Sequence, residues 1–174
     1  MRTATAALAA MLAGLAAQAA AQEPASAEVA QLAACADRHL PDLAAAEAAC
    51  VGLLSRPCTE RPEGGTTLGM VDCMQAESAA WDVLLNRAWP VLRGEAKASD
   101  AHYAETWQGQ PPPSWADALL TAQRAWLAFR DAECAERHAS WGSGSMRSIA
   151  AADCRLSMTA ARTLEFRARA EAQP

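Results

Sequence analysis

The chain has 174 residues, room for one ordinary domain and hardly two. Its formal charge of −5, −6 once the segment carrying Arg2 is removed, argues against the basic face that nucleic acid requires. It suits a basic partner, because charge complementarity speeds encounter.

Residues 1–21 read as a signal peptide. Arg2 supplies a positive n-region, "ALAAMLAGLAAQAA" is an apolar stretch too short for a comfortable membrane span, and "AQAAAQ" offers small residues at the cleavage spacing. Cleavage is expected after Ala21, with Ala19 as the second choice. No cysteine closes the apolar stretch, so no lipid anchor is expected. The mature protein should be periplasmic or secreted, with no membrane insertion after signal cleavage. Residues 22–67 form an N-terminal extension. In it Val29–Arg38 and Asp42–Ser55 read as short helices broken by Pro41, and Pro57–Thr67, with two prolines and a Gly-Gly pair, reads as a loop.

The main helical domain is expected over residues 68–174. Met70, Met74, Glu77, Trp81, Leu84, Leu85, Ala88 and Leu92 recur at three- and four-residue steps, which predicts a long helix from Leu68 to about Leu92. Pro90 should kink or end it. Gly94–Pro113 is less regular. Ser114 with Asp117 resembles a capping box, and opens a second long helix ending near Ala139. Trp115, Leu119, Ala122, Trp126, Phe129 and Glu133 share one face of it. "SWGSGS" is a turn, and Ser143 or Ser145 can cap a third long helix through about Ala170, with Ile149, Leu156, Met158, Thr163, Leu164 and Phe166 at its apolar positions. No run alternates as a strand would. The fold class expected is all-α: a small disulfide-stapled antiparallel helical bundle, three long helices with short N-terminal helices. Six tryptophans should fill much of its thin aliphatic core.

All six cysteines lie beyond the signal segment, and an even count in an oxidising compartment argues for disulfides. Their order along the chain favours local pairs: Cys35–Cys50, Cys58–Cys73 and Cys134–Cys154. The pairing among Cys35, Cys50, Cys58 and Cys73 stays open on sequence alone. Each closure is worth roughly 3 kcal/mol.

The stretch "AQRAWLAFRDAEC" (122–134) concentrates the polar chemistry. One reading is an acid–base pair with Arg130 holding an anionic substrate. The other is structural: Asp82 or Asn86, four apart on the first long helix, meets Gln123 or Arg130 in a hydrogen-bond network between helices, with Asp131 beside it. The structural reading is favoured, because Asp131 and Glu133 diverge on a helix and no nucleophile–base pair is visible. His39, His102 and His138 sit at no ligand spacing, so neither a metal nor a cofactor is expected. "PEGG" and "GSGS" lack the Lys-Ser/Thr that follows a phosphate loop, and read as turns. The turn around Trp141 and Ser143 is either a contact loop or a turn folded back on the helix ends, the second being favoured; Trp107 in the Pro-rich connection invites the same two readings with lower weight.

Four motifs in order carry a resemblance: "MVDCMQAESAAWDVLLNRAW" (70–89), "LLTAQRAWLAFRDAEC" (119–134), "GSGS" (142–145) and "ADCRLSMTAARTLEF" (152–166). Together, over about residues 70–167, they resemble the LprI-like lysozyme-inhibitor family. Trp89 stands near where that family has a tyrosine. The resemblance implies an exported all-helical module with a Cys134–Cys154 disulfide. With the family's association with lysozyme inhibition, the function expected is that of a non-enzymatic binding protein that blocks a lysozyme-like muramidase sterically. The alternative is an envelope structural or interaction module without lysozyme inhibition.

Overall fold

The computed structural model describes residues 26–171; the expected signal peptide lies outside them. Six helices, and no strand, occur among the described residues: α1 (Ser26–His39), α2 (Leu43–Cys50), α3 (Ser55–Thr59), α4 (Thr67–Thr106), α5 (Trp115–Ser140) and α6 (Met146–Glu171). None of them is long and apolar enough to cross a membrane. Side-chain caps explain several starts. Asp42 accepts from the Ala45 amide at 3.0 Å, Thr66 from Gly69 at 2.9 Å, and Ser114 from Asp117 at 3.1 Å. The second predicted helix stops at Cys50, five residues short of Ser55. Gly52 takes φ +87, a left-handed turn no helix continues through, and the short α3 follows.

Pro90 does not end α4, contrary to the sequence expectation: the helix runs 40 residues, through the segment read as irregular. Proline removes one amide donor and leaves the Asn86 carbonyl without it. Both residues are exposed, where water can serve that carbonyl. Beyond Pro90, Leu92 and Ala96 are buried with Ala116, Leu119 and Phe166, and this packing carries the helix past the proline.

The three long helices alternate in direction. Thr163 Oγ1 donates to the Trp81 carbonyl at 3.1 Å, and Trp89 stacks on Phe166 with centroids 5.8 Å apart, so α4 and α6 run parallel. α5 runs against both: Gln123 bonds Arg162, while Asp131 further along bonds the earlier Arg155. The starts of α4 and α6 and the end of α5 therefore lie at one end of the bundle. The Pro-rich α4–α5 connection lies at the other.

The N-terminal helices are part of this packing. Val29, Leu32, Ala36 and Ala46 are buried with Trp81, Leu84, Leu156, Ala160 and Leu164. Arg167 near the end of α6 pairs with Asp37 and donates to the Ala33 carbonyl, both on α1. The division expected between residues 67 and 68 is thus bridged by core, by an ion pair, and by a disulfide from Cys58 to Cys73. The other disulfides join Cys35 to Cys50 and Cys134 to Cys154. The tryptophans fill less core than expected. Trp81 is fully buried and Trp89, Trp115 and Trp126 are half-buried, but Trp107 and Trp141 are exposed.

The start of α5 departs from the capping box in an informative way. Asp117 does not supply the return half. Asp100, reaching across from α4, accepts from the Trp115 amide at 2.8 Å, the Ala116 amide at 3.0 Å and the Ser114 hydroxyl at 2.8 Å. The Ala116 amide, then the Ser114 hydroxyl and the Trp115 amide, hold the Asp100 carboxyl below its ordinary 3.8. A carboxyl depressed by folding stabilises above its unfolded value, and that contribution is lost as pH falls through the folded value. Asp100→Asn should therefore lower the thermal midpoint at neutral pH, and the gap should close as pH drops well below 3.8, read by circular dichroism melts across the range.

Candidate binding surface

The polar residues of α5 form a seam against α6. Gln123 Oε1 accepts from Arg162 Nε at 3.0 Å, and Arg162 Nη1 reaches Glu165 at 2.7 Å. The Arg162 guanidinium lies over the Phe166 ring at 4.3 Å and the Trp126 ring at 5.5 Å. Arg130 covers the Trp126 ring at 5.2 Å, donates to Thr159 at 3.4 Å, and reaches Asp131 Oδ1 at 3.1 Å. Arg155 shares that same carboxylate oxygen at 3.2 Å. A few turns of helix thus interlock through charge-assisted bonds and cation–π contacts, with the Cys134–Cys154 bridge at the end of the row.

The partners differ from those expected. Asn86 Nδ2 donates to Asp82 at 2.8 Å within α4, and neither residue bonds Gln123 or Arg130. The network runs from α5 to α6 because the register sets Thr159 and Arg162 opposite Arg130 and Gln123. Asp131 faces two guanidiniums rather than a second carboxylate, an arrangement suited to holding helices in register. His39 lies with the Cys35 and Cys50 sulfurs within 4.8 Å of one another, but both sulfurs are spent in their disulfide.

Glu77 is the residue that sequence reasoning passed over. It is fully buried, and its carboxylate accepts four hydrogen bonds: from the amides of Gly52 (2.7 Å), Leu54 (3.1 Å) and Ser55 (2.7 Å), and from Trp81 Nε1 (3.1 Å). It ties the turn before α3 to α4. The signal was a carboxylate in the middle of an apolar stripe, a place where a charge is buried only with partners.

Exposed apolar side chains are scattered over the bundle, and two of them, Trp141 and Met146, stand where α5 turns into α6. Trp141 is 51% exposed, and Ser143 and Met146 are exposed beside it. The turn is closed by backbone bonds: Gly142 to Ala139 at 3.0 Å, Gly144 to Trp141 at 3.0 Å, and Arg147 to Gly144 at 3.3 Å. Gly142 takes the left-handed φ of +55 that stops α5. No Ser143 or Ser145 hydroxyl caps α6 among the described residues. Trp107 is also exposed, but its indole N–H donates to the Gln110 carbonyl at 2.9 Å, and it sits past the far end of α5. A helix of 26 residues separates the two by roughly 39 Å, so Trp107 and Trp141 do not share one small contact patch. Phe129, expected on the inward face of α5, is 58% exposed.

The match to known proteins lies at the level of the family. The model of the family described as lysozyme inhibitor LprI matches residues 58–166, which takes in all of α4, α5 and the signature seam and begins at the Cys58 of the second disulfide. No curated protein and no solved structure matches the chain. With well over half of its length inside that match, the chain belongs to the LprI lysozyme inhibitor family.

Proposed function

We propose that this protein is an exported, non-enzymatic inhibitor of a lysozyme-type muramidase, and that it acts by placing the α5–α6 turn over the enzyme's substrate cleft. Family membership supports a lysozyme as the partner class. Three disulfides suit an extracytoplasmic setting. The observation that carries the surface assignment is the turn itself. A half-exposed Trp141, flanked by Ser143 and Met146, stands at the tip of a helical hairpin that the Cys134–Cys154 bridge holds closed. A rigid, aromatic tip loses little conformational freedom on docking, the property that makes an anchor residue effective. The net negative charge favours encounter with a basic enzyme.

The test is a cell-wall turbidity assay with a basic lysozyme and purified mature protein at low and high salt. Inhibition at micromolar protein, weaker in high salt, is the expected result. Full lysozyme activity at micromolar excess in low salt would overturn the reading, and would leave an envelope interaction module as the function to pursue.

A further inference from the structure

A second feature sits at the same end of the bundle as Trp141. Between the 59–66 segment and the first turns of α4 lies a groove of about 570 Å³. Leu54, Ala76 and the Cys58–Cys73 bridge make its floor apolar, and Leu68, 70% exposed, extends the apolar surface outward. The carboxylates of Glu63 and Asp72 stand on its rim, with no hydrogen-bond or ion-pair partner among the described residues. Arg61 is the basic residue of the lining, and its Nε is turned back to the Cys58 carbonyl at 3.4 Å. The walls are close-set: a Cβ on Gly64 would collide with the Cys58 carbonyl, and one on Gly69 with the Glu63 carbonyl.

We propose that this groove is a docking site for a lysine or arginine side chain of a basic protein partner, and that it forms one continuous contact face with the Trp141 turn. The chemistry is that of a cation receptor for a long side chain: an apolar slot for the methylene stem and carboxylates at the rim for the charged head. Rim carboxylates beside the exposed Leu68, at the bundle end that also carries the exposed Trp141, fit a partner that brings positive charge together with apolar surface. Naming that partner as a basic muramidase rests on the function proposed above; the groove's preference for a cationic side chain stands on its own geometry.

Two measurements separate those claims. In the first, trilysine amide is titrated into the mature protein and backbone amide resonances are followed by NMR. The amides of Gly64, Thr66 and Gly69 should shift in the wild type, and should stay still in the double variant Glu63→Gln/Asp72→Asn. Absent shifts, or equal shifts in the two proteins, would overturn the groove. Both substituted side chains are exposed, so an unchanged thermal midpoint verifies that the variant is folded. In the second, the double variant should inhibit lysozyme about tenfold less well than the wild type at low salt. Equal inhibition would overturn the contact face. A wild type that binds trilysine at the groove but leaves lysozyme untouched would sink the muramidase reading and support the cation site.

Discussion

Replacing Glu77 with alanine should destabilise the mature protein by about 3–5 kcal/mol, a large share of the stability of a domain this size. The substitution strands three backbone amides and the Trp81 indole N–H without their acceptor, most of them buried. It also releases the turn that carries Gly52 and Ser55 onto α4, one helical turn beyond the Cys58–Cys73 bridge. Urea unfolding followed by circular dichroism reads the loss directly. Glu77→Gln keeps one carbonyl acceptor but aims an amide N–H₂ at other donors, so it should fall between wild type and alanine. Hydrogen exchange at Gly52, Leu54 and Ser55 should accelerate in both variants even where α4 stays protected. A loss below about 1 kcal/mol for the alanine variant would mean that the carboxylate does not clamp this turn to α4.

Much of this architecture was legible in the sequence, because the helices that matter carry strong periodic and punctuation signals. The "SWGSGS" turn, the Ser114 cap and the start of α5 all stand where the residues put them. Chain order favoured the local cysteine pairs that the structure shows, each closing a loop of only 15 or 20 residues, although the pairing among the first four cysteines stayed open until the fold was known. The errors share a physical cause, which is that long-range partners override local rules. Pro90 is a breaker by its own chemistry, yet packing of Leu92 and Ala96 carries the helix past it. On α5 the inward positions are Ala116, Leu119, Gln123, Trp126, Arg130 and Cys134. Two of these are polar, so a search for an apolar stripe rotates the helix and brings Phe129 inward. The Gln123–Arg162 and Arg130–Thr159 bonds that make those polar residues inward-facing join positions 39 and 29 apart in the chain. Asp100 is the same lesson at the other end of the bundle. Nothing near it in sequence announces that it will cap a helix beginning at Trp115.

The seam also explains why the candidate surface is at a tip rather than in a cleft. Gln123, Arg130 and Asp131 of the signature stretch are taken up in joining α5 to α6, and the candidate contact surface is what projects beyond that joint. Trp141 is the largest side chain there. Truncating it should cost binding about 2 kcal/mol or more, the scale of an anchoring aromatic, and so about thirtyfold in the inhibition constant. Half exposed and outside both cores, it should leave the thermal midpoint nearly unchanged. The same truncation at Trp107, roughly 39 Å away along α5, removes as much aromatic surface from the wrong end of the bundle. The decisive measurement is the inhibition constant of Trp141→Ala against wild type and Trp107→Ala, with one basic lysozyme at low salt. Trp141→Ala alone should lose inhibition, by an order of magnitude or more, while both variants melt like wild type. Undiminished inhibition by Trp141→Ala would contradict the α5–α6 turn as the contact surface.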